Sequence, residues 1–111
     1  MILQEEISKH EIDFKNLCQK HNVKFLYGFG SSITDSFDKK TSDIDLLVEI
    51  DEPDPIERGD KLISLWDNFE SFFKRKVDLL TESSIQNPYL KRSIDATKIL
   101  IYDGNGSKIF I

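Results

Sequence analysis

The chain has 111 residues, a net charge of −5, 39% hydrophobic and 32% charged residues. That is enough for one domain with a real core and too little for a second catalytic module. The acidic balance excludes autonomous nucleic-acid binding, which relies on Lys and Arg neutralising phosphates. A single cysteine, Cys18, excludes an intramolecular disulfide and fits a reducing compartment. Met1–Glu6 has acids where a leader needs basic and then apolar residues, and no apolar run nears the ~20 residues that span a bilayer. These features predict a soluble, cytoplasmic protein.

In chain order, Gln4–His21 carries Ile7, Phe14, Leu17 and Cys18 at helical spacing and predicts one amphipathic helix. Val23–Phe29 is rich in β-formers and ends at Gly30, which predicts the first strand. Ser31–Phe37 predicts a short helix and 38–42 a polar loop. Ile44–Ile50 predicts the second strand: its even positions are all large and apolar, while the odd ones include Asp45 and Glu49. Asp51–Pro55 is a turn, with Pro55 suited to the first position of a helix. Leu62, Leu65, Trp66, Phe69, Phe72 and Phe73 give that helix a strong apolar face. Lys76–Thr81 predicts a third strand, Pro88–Ala96 a short helix and Lys98–Tyr102 a fourth strand. Asp103–Gly106 is a turn, and 107–111 a frayed tail or a small added strand.

The chemistry concentrates in two of these elements. Asp43 and Asp45, two residues apart at the mouth of a strand, point to the same side of a sheet about 7 Å apart. Fixing like charges so costs stability unless a cation sits between them, and a hard divalent ion such as Mg²⁺ accepts carboxylates together with substrate phosphates. Gly30-Ser31 closes the preceding strand and offers backbone N–H groups and a hydroxyl to an anion. Asp78 lies amid Val77, Leu79 and Leu80, where a buried charge needs a partner; beside the second strand it closes a three-carboxylate site, and otherwise it caps an edge or pairs with Lys76. An Asp-x-Asp alone is a weak signal. The order strand, Gly-Ser, helix, loop, Asp-x-Asp strand and further Asp-bearing strand is far more specific.

Other polar or aromatic residues carry ordinary structural readings. His10 and His21 lie on or at the end of the first helix as surface or cap residues, without a second close ligand. Trp66 and its neighbouring phenylalanines are core packing. Lys74-Arg75-Lys76 and Lys91-Arg92 are solvated helix ends or strand edges.

On Gly30-Ser31, the spacer 32–42, Asp43-Ile44-Asp45 and the later Val77-Asp78-Leu79-Leu80, the chain resembles the minimal nucleotidyltransferases of the DNA polymerase beta superfamily. The likeness covers nearly the whole chain. Many members carry an Arg soon after the Gly-Ser, where this chain reads Ser32-Ile33-Thr34-Asp35-Ser36-Phe37. The resemblance implies an α+β fold, a small mixed β-sheet of about four strands packed with helices in a polymerase beta-like palm. It implies a single nucleotidyltransferase domain over 1–111, with Asp43, Asp45 and Asp78 as catalytic residues and as ligands of two Mg²⁺ ions. It further implies Gly30 and Ser31 as nucleotide-binding residues and ATP as substrate. Small stand-alone members resemble antitoxins paired with a helical HEPN ribonuclease toxin, silenced by transfer of AMP from ATP to a tyrosine. The acidic balance suits such a basic, RNA-cutting partner. Two alternatives stand beside this: a small-molecule nucleotidyltransferase that uses a partner subunit, and a catalytically silent antitoxin that acts by contact. Intact Asp43, Asp45 and Asp78 favour the first two readings; the lack of an acceptor domain favours the protein-directed one.

Overall fold

A computed structural model describes residues 1–34 and 42–111. Helices α1 (Ile2–Lys9) and α2 (Glu11–Lys20) lead into strand β1 (Val23–Phe29) and a 3₁₀ turn, Gly30–Ile33. Then follow β2 (Ile44–Ile50), α3 (Pro55–Phe73), β3 (Val77–Leu80), a second 3₁₀ turn (Glu82–Ser84), α4 (Pro88–Thr97), β4 (Ile99–Asp103) and β5 (Lys108–Ile109). One mixed sheet orders them β3-β2-β1-β4-β5. Only β2 and β3, joined through α3, run parallel; the other pairs are antiparallel. This is the expected α+β architecture, with a fifth short strand where 107–111 was read as tail or added strand.

The first helix departs from expectation. The Gln4–His21 stretch is two helices, broken at His10, whose φ of −140° and ψ of 53° leave the helical region. The bend serves two packing partners. Leu3 of α1 lies over β1, so close to Gly28 that a Cβ there would come within 2.6 Å of its side chain. Phe14 of α2 instead stacks on Phe69 of α3 at 5.8 Å between ring centres. A straight helix has no way to reach both surfaces. The short helix expected over Ser31–Phe37 is in its described part a single 3₁₀ turn ending at Ile33, with Thr34 extended, and positions 35–37, with 38–41 of the loop, lie outside the described residues.

Helix caps follow the sequence chemistry. The Asp54 side chain accepts from the Ile56 N–H with Pro55 at the first position of α3, and Asn87 accepts from the Tyr89 and Leu90 N–H groups with Pro88 opening α4. Lys74 ends α3 in the left-handed region, at φ 54°.

The two sheet faces are covered unequally. One carries the main core: Ile44, Leu46, Val48 and Ile50 of β2 under Leu3, Ile7, Phe14, Cys18, Leu65, Phe69 and Phe73 from α1, α2 and α3. The other is covered by α4, whose Ile94 packs on Phe29 and Leu47. His21, read as a surface or cap residue, caps α2 yet is buried, between the Leu17 carbonyl at 2.8 Å and Ser64 Oγ at 2.9 Å. Burial pushes the Cys18 thiol far up, so it stays protonated and inert.

Edge strand β3 is closed by α3. The Trp66 indole N–H donates to the Val77 carbonyl at 2.6 Å, and Glu70 Oε2 accepts from the Val77 N–H at 3.0 Å. Trp66 is thus half-buried packing with a polar task. Phe14→Ala is expected to destabilise the fold by about 3–5 kcal/mol, the cost of an emptied aromatic site in a core. Trp66→Phe keeps a ring but orphans the Val77 carbonyl, for an expected loss of about 1–2 kcal/mol. Urea unfolding of both variants checks the ranking; a larger loss in Trp66→Phe overturns it.

Candidate active site

The parallel β2–β3 register places Asp45 directly beside Asp78, with Ile44 beside Val77 and Leu46 beside Leu79. Paired residues in a sheet face the same side, so the two carboxylates share a face, the one opposite the main core. Asp43 precedes β2 by one residue and Ile44 is buried between the two acids. Asp45 is half-buried, and its carboxyl is raised to about 6, first by burial, then by the charges of Asp78 and Asp43. Asp78 is exposed, so the need of a buried charge for a partner, considered from sequence, does not arise. It sits at the open rim instead.

Among the described residues, no three His, Cys, Asp or Glu side chains are gathered as a ready metal-binding cluster. The three aspartates share a field without forming a closed shell. Their chemistry fits a hard divalent cation: all are oxygen donors, and the two neighbours that raise Asp45 are anions whose repulsion a cation relieves.

Gly30 follows β1 where Phe29 pairs with Asp45. Its φ is +65°, and a Cβ there would come within 2.7 Å of Asp45 Oδ2. Glycine is therefore required twice, for the left-handed turn and for the nearby carboxylate. The turn Gly30–Ile33 leaves Ser31 half-buried, so the candidate phosphate-binding residues and the carboxylates come together at one end of β1 and β2.

Sequence reading passed over Ser32. It is fully buried, and its Oγ accepts from the Asp45 N–H at 2.8 Å and reaches the Asp43 carbonyl at 3.5 Å. The second hydroxyl of Gly-Ser-Ser thus ties the turn to the backbone that carries both acids. The signal was a second small hydroxyl residue behind a glycine turn, too common to single out without the fold.

The nucleotidyltransferase domain family matches residues 7–101. A relative from Methanocaldococcus jannaschii, "putative protein adenylyltransferase MJ1217", is 39% identical over 99 residues, 89% of this chain and 94% of its own. Among solved structures, a toxin–antitoxin with AMP-PNP superposes with a TM-score of 0.62 at 20% identity, over 87% of this chain and 76% of that one. The tri-AMPylated Shewanella oneidensis HEPN toxin in complex with MNT antitoxin gives a TM-score of 0.53 at 20% identity, over 96% and 76%. At that identity the solved structures speak for the fold, and the sequence matches carry the rest. The chain belongs to the nucleotidyltransferase domain family and is a nucleotidyltransferase.

Proposed function

We propose that this protein transfers AMP from ATP to a tyrosine hydroxyl of a helical HEPN-type toxin, and so acts as its antitoxin in the cytoplasm. The observation that carries the reading is the in-register pair Asp45–Asp78, with Gly30 seated against the Asp45 carboxylate. Resemblance to protein adenylyltransferases supports the protein acceptor, and likeness of fold to an antitoxin bound to a HEPN toxin supports the partner.

In this reading the backbone of Gly30 and the hydroxyl of Ser31 bind the triphosphate. Asp43, Asp45 and Asp78 would hold Mg²⁺. Bound there, the ions supply charge neutralisation for the phosphates and a lowered pKa for the attacking hydroxyl. Asp78, exposed at the rim, accepts the proton of that hydroxyl as its oxygen attacks the α-phosphorus and pyrophosphate leaves. Ser32 acts through the others, holding the Asp45 backbone in place.

Asp45→Asn tests both electrostatics and role. The folded Asp45 carboxyl titrates near 6, above an ordinary aspartate near 3.9. A raised acid costs stability above its folded pKa and nothing below its unfolded one. Asp45→Asn should therefore be more stable than wild type at pH 7–8, by about 1 kcal/mol after allowance for solvent screening, with the gain fading as pH falls from 6 to 4 in thermal melts. The same variant should lose AMP transfer. Full activity in Asp45→Asn removes it from the site.

Ser31 and Ser32 separate binding from support. Ser31→Ala should weaken ATP binding by about 1–2 kcal/mol and leave the melting temperature unchanged, whereas Ser32→Ala orphans the Asp45 N–H and should cost about 1–3 kcal/mol of stability. Calorimetric titration and thermal melts of the two variants read the contrast; the reverse pattern exchanges their roles. For the reaction itself, incubation with ATP, Mg²⁺ and a HEPN toxin encoded beside this protein should add AMP mass to the toxin. A toxin left unmodified yet fully inhibited favours a silent, contact-only antitoxin.

A further inference from the structure

One transverse row of residues crosses the sheet through the site. Asp78 on β3 pairs with Asp45 on β2, and Asp45 pairs with Phe29 on β1. On the other flank of β1, Tyr27 pairs with Leu100 and Gly28 with Ile99. One residue further along that register, Lys98 stands level with Phe29. The row therefore runs carboxylate, carboxylate, aromatic ring, ammonium, with about 4.8 Å between neighbours.

The Lys98 side chain lies on the same face as Asp45. Its Nζ sits 4.4 Å from the centre of the Tyr27 ring, and Tyr27 packs against the cluster of Phe29, Leu47 and Ile94 on that face. Asp95 Oδ1 lies 3.3 Å from the ammonium, but Asp95 is shared with Lys91 at 3.7 Å. The Lys98 backbone is fixed, its N–H donating to the Ile94 carbonyl at 2.7 Å. The side chain is 22% exposed, partly shielded and still open to a ligand. Across Phe29 from it, the turn Gly30–Thr34 contains no cationic residue of its own.

We propose that Lys98 binds the β,γ-phosphate end of the nucleoside triphosphate, the part that leaves as pyrophosphate. The proposal rests on the reading of Gly30 and Ser31 as the nucleotide site, and adds an orientation to it. A polyphosphate laid over the end of β1 meets carboxylates on its β2 side and an ammonium on its β4 side. With Mg²⁺ held by the carboxylates, the α-phosphorus lies beside Asp45 and Asp78, and Lys98 offers the terminal phosphates a second cationic anchor on the β4 flank. The span suits the ligand: Asp45 and Lys98 are about 10 Å apart across two strand intervals, and the four-carbon stem of lysine shortens that gap by several ångströms when it turns from Tyr27 towards Gly30. A compact point charge serves phosphate oxygens well without fixed bidentate geometry. A packing role alone asks only for an apolar cover over Tyr27, since an ion pair this open contributes little stability.

The test compares ATP with AMP, which lacks the β- and γ-phosphates, in calorimetric titrations of the full chain with Mg²⁺. Lys98→Gln should weaken ATP binding about tenfold and AMP binding less than about twofold, the loss of one charge-assisted contact. Lys98→Arg should restore most of the ATP affinity. Lys98→Met keeps an apolar stem over Tyr27 and should repeat the ATP-selective loss even if Lys98→Gln folds poorly. Equal losses for both nucleotides, or unchanged ATP affinity in Lys98→Gln and Lys98→Met beside a wild type that binds ATP, overturns the role of Lys98 alone. A wild type that binds neither nucleotide overturns the Gly30-Ser31 site and Lys98 with it.

Discussion

Two carboxylates held side by side across a parallel strand pair are the constraint around which this small domain is arranged. Asp45 and Asp78 owe their pairing to the β2–α3–β3 crossover, which aligns Ile44 with Val77 and Leu46 with Leu79 on the apolar side and the acids on the other. A one-residue slip of β3 against β2 would turn Asp78 into the core and away from Asp45, so the apolar contacts of α3 indirectly fix the spacing of the charges. The remaining features of the site answer to Asp45: glycine at position 30 because its carboxylate leaves no room, and serine at 32 because its N–H needs an acceptor.

Unequal coverage of the sheet completes the arrangement. Among the described residues three helices bury one face, whereas α4 is the helix on the other and packs through Ile94 on Phe29 and Leu47. A sheet of this size buries enough apolar surface on one face to leave part of the second free for chemistry.

Much of this was legible in the chain itself. The bounds of β1 and β2 follow from β-forming runs ended by Gly30 and by the turn after Ile50, and α3 and α4 are announced by Asp54-Pro55 and Asn87-Pro88. Asp43, Asp45 and Asp78 stand out in the sequence as candidate site residues through the order Gly-Ser, Asp-x-Asp strand and later Asp-bearing strand, although Asp also suits turns and caps. What stayed hidden depends on tertiary contacts. The break at His10 carries no proline or glycine; it arises because Leu3 and Phe14 reach different surfaces. Burial of His21 depends on Ser64, forty-three positions away. The exposure of Asp78 depends on how the helices pack over the sheet, which no local pattern encodes. The short strand β5 was ambiguous because two residues are too few to show alternation.

The closure of β3 bears on how a partner is recruited. In this strand Val77 directs its N–H and carbonyl away from β2, and α3 already claims both through Glu70 and Trp66. β3 has only four residues, so an extended peptide arriving at this side would find a single remaining outward residue, Leu79, to pair with. Recognition by strand addition is thereby blocked at the very edge that carries Asp78. If, as proposed, a partner protein presents its hydroxyl at Asp78, this edge favours docking through side chains, in a helical or loop-mediated contact, over pairing with an extended strand.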